Sequence, residues 1–283
     1  MKVLVGCSGR GFHHMASLQA LSSAVLDSAK VKSKYKIGLH ILTFVCAALS
    51  IFLNGQWLYS LAVIALISEL ISWFLSLSIE SKKSLGQEIL RLNILQQAFG
   101  SKMAVDVAYL KSKVDKQDYS KSEKFDNQAY YATENPEPEK RLVDILQESC
   151  FWSQHLYQSC QKRAVAFSVF LSILIIVLVI TGLTLIGSDG NYSVPRLSLL
   201  FLTFFPLWSS VGDAVSFSAA SNKLQSIDQR LSNIGYEQSS ILSIFAEYNV
   251  VTSNTPLIPQ KVYESEQSKL AELWDERIGS EKL

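Results

Sequence analysis

Four stretches of this chain are apolar over lengths that matter at the scale of a bilayer. Residues Ile37 to Leu53 hold no formal charge, Trp57 to Ile79 hold only Glu69, Ala164 to Ile186 hold none, and Leu197 to Phe217 hold only Asp213. A bilayer core is about 30 Å thick and takes about 20 helical residues to cross. Each stretch therefore predicts a transmembrane helix. The first two are joined by the uncharged Asn54-Gly55-Gln56 and the last two by a segment whose only charges are Asp189 and Arg196, so the four spans form two hairpins. The pattern divides the chain into an N-terminal amphipathic segment (1–36), a first hairpin (37–79), a helical insert (80–163), a second hairpin (164–217) and a C-terminal coiled helix and tail (218–283).

The polar segments carry helical periodicity of their own. Leu18, Leu21 and Val25 form one stripe between Met15 and Lys36, which predicts an amphipathic helix along or just below the membrane. Leu85, Ile89, Leu92 and Phe99 prolong the second span until Gly100 stops it. Lys111 to Glu139 is rich in Lys, Asp, Ser and Asn and reads as loop with little regular structure. Leu142, Ile145, Trp152 and Leu156 then share a face on a helix that runs into the third span.

In the tail, Leu224, Ile227, Leu231, Ile234, Gln238, Ile241, Phe245 and Tyr248 recur at steps of three and four, a coiled-coil-like seam. A helix continuous with the fourth span would project about 45 Å at 1.5 Å per residue. Two partners suit the seam: the chain's own helices around Leu85 to Phe99 and Leu142 to Leu156, or a second subunit. Thr255-Pro256-Leu257-Ile258-Pro259 ends it, and a short amphipathic stretch with Tyr263, Leu270 and Trp274 follows.

Composition agrees with this pattern. Of 283 residues, 48% are hydrophobic and 18% charged, which is too apolar for an ordinary soluble domain. The expected fold class is an all-α membrane protein with four transmembrane helices in two hairpins and a helical cytosolic bundle. The net charge of +1 says little, but its distribution does. Lys30, Lys32, Lys34 and Lys36 precede the first span, Lys82 and Lys83 follow the second, Lys162 and Arg163 precede the third, and Lys223 follows the fourth. By the positive-inside rule the short loops face out and both termini are cytosolic. A polar, Ser-rich start argues against a cleaved signal peptide. Cys7, Cys46, Cys150 and Cys160 fall on the cytosolic side or within a span, where disulfides are disfavoured.

Enzyme chemistry finds little support. Gly6-Cys7-Ser8-Gly9-Arg10-Gly11 lacks the Gly-Lys-Ser/Thr ending and the glycine spacing of phosphate-binding fingerprints. His13-His14 and the Cys150/His155 pair are too sparse for a metal site. The expectation is a protein that is not an enzyme and holds no metal or cofactor.

The spans themselves hold the candidate chemistry. Glu69 lies near the middle of the second span, where an unpaired carboxylate costs at least a few kcal/mol. It shares a face with Ala62, Ala65, Ser72 and Ser76, and the first span matches it with His40, Thr43, Ala47, Ser50 and Asn54. The fourth span adds Pro206, Ser209, Asp213 and Ser216, with Pro206 positioned to kink the helix. The third is plainer and is expected to face lipid most. These polar seams either pack helices together, as small residues and hydroxyls do in any membrane bundle, or line a water path in an assembled pore. In the insert, Arg91, Lys102, Lys111, Lys140 and Arg141 could meet phosphates, with Tyr130, Tyr131 or Trp152 to stack on a base. The alternative is a solvated surface of mixed charge.

Several local strings, in this order around four spans, resemble the S-4TM family of four-transmembrane effectors. They are Leu26-Asp27-Ser28-Ala29-Lys30, Gln87-Glu88 with the helix to Phe99, Ala129-Tyr130-Tyr131, and Arg141 to Arg163 with Gln147, Glu148 and Trp152. The last is Pro256-Leu257-Ile258-Pro259 followed by Val262-Tyr263. That family is associated with bacterial nucleotide-signalling antiphage systems such as CBASS. The resemblance implies a homo-oligomeric effector of the bacterial inner membrane. It would permeabilise that membrane when a cyclic nucleotide binds, with the lipid bilayer and that nucleotide as partners and no nucleic acid polymer involved. The alternative is a membrane-anchored scaffold or regulatory subunit that recruits a partner through its coiled helix.

Overall fold

The computed structural model describes residues 17–53, 55–100, 106–125, 131, 133, 135–186 and 193–281, with the side chains of 182–193 and 280–281 outside that description. Among the described residues every regular element is helical. In chain order they are α1 (Leu18–Leu49), α2 (Trp57–Phe99), α3 (Val107–Lys113), α4 (Lys116–Ser122) with a 3-10 turn at Glu123–Phe125, α5 (Pro138–Ile186), α6 (Ser193–Leu202), α7 (Phe204–Ser232), α8 (Gln238–Asn254) and α9 (Gln260–Glu281).

Two long antiparallel pairs, α1 with α2 and α5 with α7, dominate the packing. Ser17 caps α1 by accepting from the Ala20 amide, and Gly100, at φ 59°, ends α2 in a backbone region that favours glycine. Three helical stretches are long and apolar enough to cross a membrane, within Trp57–Phe99, Pro138–Thr181 and Val194–Ser232. The first apolar run fares differently. The α1 helix stops at Leu49, so the helical part of that run, Ile37 to Leu49, spans only about 20 Å. An 18-residue window within the helix takes in Lys36, Lys34 and Lys32.

The polar halves of the helices form a bundle around one core. Leu142, Ile145, Leu146 and Cys150 of α5, Leu224, Ile227 and Leu231 of α7, Ile241, Phe245 and Tyr248 of α8, and Leu270 of α9 all belong to it, with Leu90, Leu95 and Phe99 of α2 packed against it. The tail's heptad-like positions thus meet the chain's own helices.

Three expectations need correction. The tail is not one helix: α7 stops at Ser232 and α8 restarts at Gln238, so residues 233 to 237, with Gly235 among them, form a turn and α8 packs back on α7. The pairing of the two arms outweighed a side-chain period that continues smoothly through the turn.

The 111–139 segment holds α3, α4 and the 3-10 turn rather than plain loop. Its buried anchors Val114 and Asp118, with Leu110 just before it, dock it on α1 and α2. At the start of α1, Leu18, Leu21 and Val25 pack with Ile89, Leu110 and Val114, and Ser22 Oγ donates to the Gly86 carbonyl at 2.8 Å. The third span is not the most open. Its Leu171, Ile175 and Leu178 join a core cluster with Phe44, Ala47, Ala65 and Leu199, while the second span keeps more of its surface exposed.

Candidate functional site

The α1–α2 hairpin brings four of the sequence candidates together. Glu69 Oε1 accepts a 2.8 Å hydrogen bond from Thr43 Oγ1 and lies 3.1 Å from His40 Nδ1. His40 Nε2 lies 3.3 Å from Ser72 Oγ. With an ionised Glu69 the network fixes the roles: Nδ1–H donates to the carboxylate, and Nε2 accepts from the Ser72 hydroxyl unless the ring is cationic. The cluster is nearly closed, with the His40 and Glu69 side chains 16% and 11% exposed and Thr43 fully buried. Buried Ala47 and Ala65 on the same faces let the backbones approach closely enough for these short side chains to meet.

The remaining hairpin candidates behave differently. Ser76 Oγ donates to the Ser72 carbonyl at 3.0 Å and Ser50 Oγ to the Ala47 carbonyl at 2.6 Å, so each serves its own helix. Pro206 is buried just past the break between α6 and α7, where Thr203 bonds back to the Leu200 carbonyl. A proline there removes the amide that would have continued the helical ladder. Asp213 is partly buried and within electrostatic reach of Lys36 and Lys83.

Two groups at this level carried no separate sequence signal. Ser168 and Ser210 pair at 2.8 Å between α5 and α7. Arg196, noted above only as a loop charge, is 2% exposed, with Nε 3.4 Å from the Ser50 carbonyl. A lone cation at the start of an apolar run was the clue.

The proposed ligand-binding residues that are described each have partners within the chain. Arg91 Nη2 donates to the Asn249 carbonyl at 3.3 Å, and Arg141 donates to the carbonyls of Asn135 at 2.6 Å and Gln97 at 3.3 Å. Arg141 thereby serves the carbonyl-rich end of α2, a favoured position for a cation. Tyr131 and Trp152 pack on the bundle core, and Trp152 stacks on Tyr263 with centroids 6.4 Å apart. Lys102, Tyr130, Asn54 and the 6–14 segment lie outside the described residues.

Two concavities lie elsewhere. A groove of about 820 Å³ runs between α7 and α8, lined by Ser226, Gln229, Arg230, Asn233, Ser239 and Ser243 among others. Its one formal charge is the Arg230 guanidinium, which shares the Glu247 carboxylate with Lys223. A smaller cavity of about 200 Å³ sits where α1, α2, α3 and α4 meet. There Lys82 binds Asp115 at 2.7 Å and also Asp118, which accepts from Ser28. That hydrogen bond from Lys82 holds the Asp115 carboxyl below the usual carboxylate range.

No family model matches the chain, and no curated protein or solved structure matches it significantly. Among the described residues no group of three or more His, Cys, Asp or Glu side chains is arranged to hold a metal. The arrangement is chemically a buried, proton-bearing polar lock between two long helices, joined to a bundle that offers an open polar groove.

Proposed function

We propose that the protein is an antiphage effector of the bacterial inner membrane, which it permeabilises when a nucleotide second messenger binds. In this reading the chain crosses the membrane four times with both termini cytosolic. The short first span is completed by residues 50–53 and by lysines that snorkel toward the headgroups.

One observation carries the proposal: Glu69 sits deep in an apolar hairpin and is held closed by His40 and Thr43. A carboxylate at that depth is costly, and packing alone does not call for one. The resting state is thus a sealed bundle. Opening requires α1 and α2 to part or rotate, as subunits assemble, so that the His40 to Ser72 face meets water.

Unbroken helices supply the lever. α2 and α5 each run from the apolar hairpins into the bundle, and α7 does so beyond its break at Thr203. The α7–α8 groove is of a size that small-molecule sites use and is lined by hydroxyls, amides and a guanidinium suited to a nucleotide. A ligand there would act only by binding the open assembly more tightly than the closed one. The resemblance to S-4TM effectors supports the same reading and supplies the signal class. The scaffold alternative needs the tail seam as a recruiting surface, but that seam faces the chain's own helices.

The test is membrane potential and propidium uptake in bacteria expressing the full chain, alone or with a signalling nucleotide synthase. Depolarisation only with both present supports the proposal. Intact membranes and normal growth in both cases, with the protein well expressed, would reject it.

A further inference from the structure

We propose that the 200 Å³ cavity beside Lys32 binds a phosphate group at headgroup depth, and that its occupant is an anionic phospholipid of the cytosolic leaflet. This inference does not depend on permeabilisation; it needs only that α2 sits in the membrane.

Three lysines and two carboxylates, those of Asp115 and Asp118, line the cavity, which leaves it one positive charge in excess. Lys82 is bonded to Asp115 and Asp118, and Lys113 to Glu88 at 3.3 Å. Lys32 is within electrostatic reach of Asp115 but, among the described residues, in salt-bridge contact with no carboxylate: its Nζ donates to the Ser78 hydroxyl, and its ammonium has two further N–H groups. A half-buried ammonium in a recess is stabilised by an anion that accepts those donors, and Ser78, Ser81 and Lys82 stand around the same space.

Depth and size select the anion. The apolar run of α2 ends at Ile79, so Ser78 and Lys32 lie where a headgroup phosphate would be. The cavity is smaller than the roughly 300–1,000 Å³ that encloses a drug-sized ligand, which suits a phosphate and not a whole nucleotide. Directly toward the membrane from Ser78 on the same α2 face come Phe74 and Ile71, 63% and 47% exposed, and one turn beyond Lys32 on α1 comes Tyr35, 68% exposed. A polar recess roofed by an open aromatic and aliphatic wall fits an amphiphile: phosphate below, acyl chain above. Lys34 and Lys36 on the same helix add positive charge at this level, which favours an anionic surface.

Native mass spectrometry of the full chain in neutral detergent, with equal amounts of phosphatidylglycerol and phosphatidylcholine, reads the occupant directly. The expected result is selective retention of phosphatidylglycerol, about fivefold weaker in Lys32→Gln. That variant keeps a donor for Ser78, and helicity by circular dichroism checks its fold. Phe74→Ser, which leaves the cavity untouched, also lowers retention, and Lys116→Gln on the exposed face of α4 does not. Equal retention of both lipids, or retention unchanged in Lys32→Gln, overturns the proposal. Displacement of the lipid by an equal concentration of inorganic phosphate or glycerophosphate overturns the lipid assignment and gives the cavity to a soluble phosphate.

Discussion

The two hairpins solve the same packing problem with different chemistry. Where α5 meets α7, the described polar contacts include Ser168 to Ser210 at 2.8 Å, Ser221 to the Gln154 carbonyl at 3.1 Å and the Gln147 amide to Ser232 at 3.2 Å. Leucine and isoleucine do the rest. Where α1 meets α2, a carboxylate, an imidazole and two hydroxyls form a connected cluster. The Ser168–Ser210 contact joins its two helices without a charge. In the function proposed above, the charge in α1–α2 serves water access in an opened state.

That contrast can be broken by substitution. The largest effect is expected for Glu69→Leu, which should lower activated ion leak at least tenfold with expression intact, while Ser210→Ala leaves leak unchanged. Equal leak in the two variants would remove Glu69 from the path. Next comes the tight crossing of α1 over α2 below the apolar run. A Cβ on Gly86 would lie 2.7 Å from Leu26 Cδ2. Gly86→Leu should cost about 1–3 kcal/mol by overpacking, read as a lower Tm in detergent.

The cluster itself should couple more strongly than the hydroxyl pair. A double-mutant cycle on His40 and Glu69 is expected to give about 1.5 kcal/mol, against about 0.6 for Ser168 and Ser210. Equal couplings would mean that the two hairpins do not differ in the way argued here.

The smallest effect lies outside the spans. Lys82 depresses the Asp115 pKa, so the folded state favours the ionised form. Its stabilisation is complete above about pH 4 to 5 and lost as pH falls through the lowered folded value. Because Asp115 is 70% exposed, solvent screening leaves about 0.3 kcal/mol, and Asp115→Asn should flatten the acid limb of Tm against pH by only that much.

Sequence pattern was most reliable where burial follows periodicity. Leu224, Ile227, Leu231, Ile241, Phe245 and Tyr248 were all assigned to one face, and all are buried. The same period ran through Ile234 and Gln238, where the chain turns, because a periodicity records which side faces a core and not whether the helix is interrupted. The candidate site was legible in half. His40, Thr43, Glu69 and Ser72 could be placed on facing seams, but the partners of Arg91 and Trp152 and the second partner of Arg141, Gln97, lie too far away in sequence to be read from a pattern.

The sequence by itself determined that the chain is helical, that it carries membrane-length apolar stretches, and which residues face inward. These follow from the period of single helices and from the free energy of transferring apolar side chains, both local properties. Only the tertiary structure decided that α8 folds back on α7, that the start of α1 packs on α2 and α3, and that His40 reaches Glu69. Those outcomes depend on contacts between residues 26 or more positions apart for the site, and on a backbone turn for the tail, neither of which a one-dimensional pattern records.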